Sequence, residues 1–155
     1  MADGQAKAEA LNAGRMNACE VEFAPEVEPA WQACVGSDAD AMTWLAMSYE
    51  SKKKLKLLGS GVGGYAAMRP HLADDAVTYG AFKVLQGGAA KFVFIASIGP
   101  NAGAMVKGRA TAHTKSIENA LEGTTIGIQA TEAEELEPEA VAEKLSKALN
   151  APVTL

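Results

Sequence analysis

Cationic excess, a cysteine framework and long apolar runs are all missing from this chain. Its net charge is −5, which argues against a general nucleic-acid binder, because such surfaces are normally basic. Cysteine is limited to Cys19 and Cys34, too few for a disulfide scaffold and without metal-ligand spacing. The two histidines, His71 and His113, lie far from both in sequence. Each thiol therefore reads as reduced, in a cytosolic protein. No run approaches the ~20 apolar residues of a membrane span. The opening MADGQAKAEALNAG lacks the apolar stretch of a signal peptide. G-x-S-x-G, H-E-x-x-H and P-loop patterns are absent too. No catalytic constellation assembles, and neither a cofactor nor a metal is expected.

What is present describes one soluble domain: 155 residues, 48% hydrophobic and 21% charged. Residues 1–24, rich in Ala, Gly and Asn, read as a loosely ordered extension. A domain over 25–150 and a short tail, 151–155, follow. After Pro29, Trp31, Cys34 and Val35 fall on one face of a short helix. AMTWLAMSY alternates as a strand, with Met42, Trp44, Ala46 and Ser48 on one side and Thr43, Leu45, Met47 and Tyr49 on the other. KKKLKLL reads as its hairpin partner, with lysines that protect an edge strand. GYAAMRPHL gives a short helix limited by Pro70, and VTYGAFKVLQ a third strand. KFVFIASIG is nearly continuous in apolar residues, as expected of a strand covered on both faces. A helix over 102–121 closes at Gly123. TTIGIQA then forms a parallel strand, and a last helix opens near Pro138. The fold class is α/β: a single domain with a central mixed sheet of five to six strands and helices on both faces.

One motif suggests a nucleotide. GSGVGGY spells G-x-G-x-x-G through Gly59, Gly61 and Gly64. A dinucleotide site needs a buried strand before it, a full-length helix after it and an acid ~20 residues on. Here the preceding strand is lysine-rich, the following helix holds Pro70, and the next strand ends in Val84-Leu85-Gln86. The stretch reads instead as a flexible glycine loop, and His71 beside Pro70 as a surface loop residue.

The long helix carries more information. At about 100° per residue, Val106, Ala110, His113, Ile117, Ala120 and Leu121 share the stripe that packs on the sheet. The opposite face presents Ala104, Gly108 and Thr111, with Met105 beside them and Lys107 and Arg109 on the flanks. An interior glycine costs ~1 kcal/mol relative to alanine. Cations near the helix start, with Glu118 and Glu122 near its end, also invert the order that the helix dipole favours. The pattern leaves two readings open: a face shaped to lie against an acidic protein surface, or a solvated face with a tolerated glycine.

KFVFIASIGPNAGAMVKGRATAHTKSIENALEG, followed by IGIQA and AVAEKL, resembles the second half of an actin-depolymerising-factor homology (ADF/cofilin) domain. The first half, AWQACVGSDADAMTWLAMSYE and GGYAAMRPHLADDAVTYGAFKV, is similar to the coactosin-like subgroup. The resemblance implies a non-enzymatic, monomeric, cytoplasmic protein that binds actin, filamentous in preference to monomeric. It places Lys107 and Arg109 at the family's basic helix pair, with Met105, Ala104 and Gly108 filling an apolar cleft. Lys91 and Lys83 would add a cationic patch on the filament side. Ala110 stands where cofilins usually place a bulky residue, and the cofilin-type serine-containing start is not evident. Both departures favour filament binding over severing. The alternatives are cofilin-like monomer binding with severing, and a nucleotide-binding enzyme built on Gly59–Gly64.

Overall fold

Alternating side chains on the central strands, mostly apolar on both faces, require a helical layer on each side of the sheet. The computed structural model describes residues 21–155 apart from Ala39, and Cys19 with the rest of the first twenty residues lies outside that range. In chain order the elements are β1 (Glu22–Phe23), α1 (Val27–Val35), β2 (Thr43–Ser51), β3 (Lys54–Val62), α2 (Gly64–Met68), β4 (Val77–Gln86), β5 (Ala89–Ile98), α3 (Ala104–Ala120), β6 (Thr124–Ala130) and α4 (Pro138–Leu149). Short 3-10 turns occupy Arg69–His71 and Ala133–Leu136. The six strands form one mixed sheet in the order β1-β3-β2-β4-β5-β6. β1 pairs parallel with β3, β5 pairs parallel with β6, and the remaining neighbours are antiparallel.

Both expected faces of β2 are used. Leu45 and Met47 join Tyr79, Ala81, Phe94 and Ala96 beneath α1 and α3. Trp44 and Ala46 join Phe82, Val84, Val93 and Ile95 beneath α2 and α4. On the first face the Trp31 ring meets the edge of Phe92, with centroids 5.4 Å apart. On the second, the Tyr65 hydroxyl donates to the carbonyl of Leu136, which ties α2 to the segment before α4.

Four local expectations change. The packed domain takes in residues 21–24 ahead of position 25, because Val21 and Ala24 are buried and β1 registers against Lys54 and Leu55. Residues 151–155 do more than trail: Thr154 bridges to Leu85, and Val153 and Leu155 pack on the second face. Gly59 and Gly61 are not loop residues, since β3 runs through them to Val62 in register with Ala46 and Trp44. His71 is no free loop side chain either, because its ring lies 5.2 Å from that of Trp44. A Cβ on Gly59 would stand 3.1 Å from Trp44 and 3.3 Å from His71. Close ring packing therefore accounts for the first glycine of the motif. Gly63 and Gly64 take positive φ of 122° and 68° where the chain turns into α2.

The turn from β5 into α3 is built on a backbone approach that only glycine permits. A Cβ on Gly99 would lie 2.3 Å from the Asp74 carbonyl oxygen. The Gly99 amide donates to Ala76 and the Asn101 amide to Asp74. Gly99→Ala is expected to destabilise the protein by about 1–3 kcal/mol through overpacking against backbone, seen as a lower midpoint in urea unfolding at unchanged slope.

Candidate functional site

α3 leaves the Gly99 turn with Gly103 as an N-cap that offers no side-chain hydrogen bond, and its first turn contains no acid. Burial of Ala110, Ile117 and Ala120, with Leu121 just past the helix end and Val106 packed alongside, fixes its rotation on the sheet. Ala104, Met105, Gly108, Thr111 and Ala112 consequently face outward. Met105 keeps 77% of its surface exposed, the most of any large apolar side chain among the described residues. A Cβ on Gly108 would meet nothing within 4 Å. Nothing inside the folded chain requires glycine there.

The two flanking cations are held rather than loose. Lys107 donates from Nζ to the carbonyl of Pro100, so its stem lies back along the entry turn. The Arg109 guanidinium sits 5.7 Å from the centroid of the Tyr49 ring, within cation–π range. Tyr49 in turn shares its hydroxyl with Tyr79 at 3.0 Å and with His113 Nδ1 at 2.9 Å. The Tyr79 hydroxyl reaches the Ala110 carbonyl at 3.5 Å. This chain of polar contacts couples β2 and β4 to the helix directly beneath Arg109. Tyr49 and His113, both half-buried, support the site from beneath. The signal in sequence was Tyr49 on the helix-facing side of β2; only the fold shows which helix residues it meets.

The two other candidate cations do not join the helix pair, nor each other. Lys83 stands opposite Phe92 and Lys91 opposite Val84 in the β4–β5 register, so their side chains leave the sheet on opposite faces. Lys83 is 1% exposed. Its Nζ donates to Ser37 Oγ and to the Asp38 carbonyl, both at 2.7 Å, and sits 5.5 Å from the Phe92 ring centroid. Burial pushes its pKa below the ordinary lysine value, while Cys34, Asp38 and Asp40 oppose that shift. A surface patch containing Lys83 is thereby corrected: the side chain anchors the 37–38 loop to the sheet. Lys91 is half-exposed at the start of β5. It lies seven residues from Ile98, which is about 23 Å at the usual rise of ~3.3 Å per residue. It therefore marks the pole opposite the start of α3.

Similarity to known proteins agrees with this architecture. The model of the cofilin/tropomyosin-type actin-binding protein family matches residues 20–146, and the chain belongs to that family. It is 27% identical over 120 residues to coactosin of Dictyostelium discoideum, covering 74% of this chain and 82% of that protein. The crystal structure of coactosin from Entamoeba histolytica superposes with a TM-score of 0.70 at 19% identity, over 85% of this chain and 99% of that one. Mouse coactosin, described as an actin filament binding protein, superposes with a TM-score of 0.66 at 17% identity, over 83% and 92% of the two chains. Among the described residues no helix is long and apolar enough to cross a membrane.

Two stability tests follow from these placements. Gly108→Ala is expected to raise stability by about 1 kcal/mol, a melting point roughly 2–5 °C higher by calorimetry. Lys83→Ala is expected to lower stability by about 1–3 kcal/mol, from lost stem packing and lost hydrogen bonds.

Proposed function

We propose that this protein binds actin, associates with the sides of filaments, and regulates the cytoskeleton in the cytoplasm without enzymatic activity. The observation that carries this reading is the outward face at the start of α3. An unfilled glycine and an exposed methionine lie between two cations already fixed by contacts of their own. Fixing Lys107 and Arg109 before binding lowers the side-chain entropy lost on association. The glycine admits a partner surface close to the helix backbone. Ala104 and Met105 offer the apolar contact, while Lys107 and Arg109 meet acidic groups at its margin. The helix dipole adds positive potential on the same side. Family membership supports actin as the partner, and the coactosin relatives support the filament as its form.

Lys91 belongs to a separate contact in this scheme. Its distance from α3 and its place on the other sheet face mean that it meets a different region of the partner, as filament-side binding to more than one subunit would require. Gly59–Gly64 has no part in binding.

High-speed co-sedimentation with filamentous actin tests the reading. Lys107→Glu combined with Arg109→Glu is expected to weaken binding by about 2–4 kcal/mol, or roughly 30- to 1,000-fold, with an unchanged circular dichroism spectrum. Gly108→Leu is the sharper probe, because the free protein has room for the side chain. Its stability should hold while filament binding falls at least about tenfold, as expected when bulk enters a close-packed interface. Wild-type affinity in both variants would remove α3 from the interface.

A further inference from the structure

The densest cationic run in the sequence, Lys52-Lys53-Lys54 with Lys56, has no role in the site described above. Edge protection, its simplest explanation, does not fit the placement of its first two residues. Lys52 and Lys53 occupy the turn between β2 and β3, not a strand. The next two positions, Lys54 and Leu55, are already covered by β1. The open edge of β3 runs through Lys56–Val62, where Lys56 is the single charged residue. Lys54 pairs with Glu50 at 3.3 Å. Among the described residues no ion pair engages Lys52 or Lys53, and both are exposed.

The sheet places this turn beside the start of α3. Ser48 of β2 registers with Thr78, and Thr78 with Ser97, so the last residues of β2 and β5 share one end of the sheet. Tyr49 touches Arg109 and His113, and Lys52 lies three positions beyond it. At the usual strand rise that is about 10 Å, close to the Debye length of about 8 Å at physiological salt. The potentials of the turn and of the helix pair therefore overlap mainly at low ionic strength, where screening is weaker.

The same end also carries carboxylates, with Glu50 paired to Lys54 and Glu22 beside the turn on β1, and others farther along the sheet. Asp74 and Asp75 precede β4, with Asp74 bonded to Asn101 at 3.2 Å, and Glu132 and Glu134 follow β6. Against Glu22 and Glu50, the cations Lys52, Lys53, Lys54, Lys107 and Arg109 still leave the β2–β3 and α3 side positive, while the turns bordering β4 and β6 carry Asp74, Asp75, Glu132 and Glu134. Such a division orients an approaching partner as well as attracting it.

Resting on the actin-binding reading, we propose that the β2–β3 turn is a second basic contact of the α3 interface, engaging an acidic surface of the same protein partner through Lys52 and Lys53. It sits at the solvated margin and acts mainly on the rate and salt dependence of association. The full chain carrying Lys52→Glu and Lys53→Glu should lose about tenfold in filament affinity at low salt, with a flatter dependence on salt. Lys52→Gln with Lys53→Gln should fall between that pair and the wild type, which shows that lost attraction contributes beside new repulsion. Wild-type affinity at every salt concentration in both pairs, while Lys107→Glu with Arg109→Glu abolishes binding, would overturn the inference and leave the function standing. Full binding by the helix variant as well would remove α3 from the interface, whereas failure of the wild type itself to pellet with filaments would defeat the function. Loss of pelleting with phosphatidylserine vesicles, without any loss on filaments, would assign the turn to a membrane surface and also overturn the inference.

Discussion

The close seating of α3 on the sheet is the constraint on which the rest of the molecule depends. Ala110 lies fully buried directly beneath Arg109's turn of helix, and its carbonyl accepts from Tyr79. A small residue there lets the helix approach β4, and Ile117 and Leu121 complete the stripe. With that rotation fixed, Gly108 and Met105 have nowhere to face but outward. The Gly99 turn adds the second restraint, because its contact with Asp74 sets where the helix starts. Exposure of that face is thus a consequence of burial on the other side, and the Cβ-free approach at Gly99 sets its position as much as any surface residue does.

Electrostatics divides the cations by what holds them. Lys83 is used up internally, its ammonium bonded to Ser37 and Asp38; a buried charge without such partners would be costly. Lys107 and Arg109 are partly satisfied within the chain but stay at the surface. Lys52 and Lys53 have no ionic partner among the described residues and extend the positive side of the same pole. An acidic protein with a locally cationic end avoids general attraction to polyanions while keeping attraction where it serves binding.

The helix-facing and α4-facing sides of β2 followed from alternation alone, because a strand presents successive side chains to opposite faces. The burial of β5 followed from its unbroken apolar run, and the outward face of α3 from its helical period. These are local rules, written in spacing. Glycine was harder to interpret. Gly59 spells part of a nucleotide motif, yet it is a strand residue that makes room for Trp44 and His71, two rings from distant parts of the chain. Its meaning lies in what approaches it, and sequence does not state that.

Lys83 and Lys91 make the same point for charge. Both flank the β4–β5 turn in sequence and read as neighbours in a patch, but pairing one residue further along sends them to opposite faces. The positions 21–24 and 151–155 were similarly decided by pairing with β3 and β4 rather than by their composition. What the amino-acid sequence by itself determined was the layered α/β class, the amphipathic period of α3 and the cations on its flanks, since each depends on residues a few positions apart. The tertiary structure alone decided which lysine is buried, which glycine is packed and which is free, and that the β2–β3 turn stands beside α3. Those properties arise from contacts between segments far apart in the chain, where register and face outrank local composition.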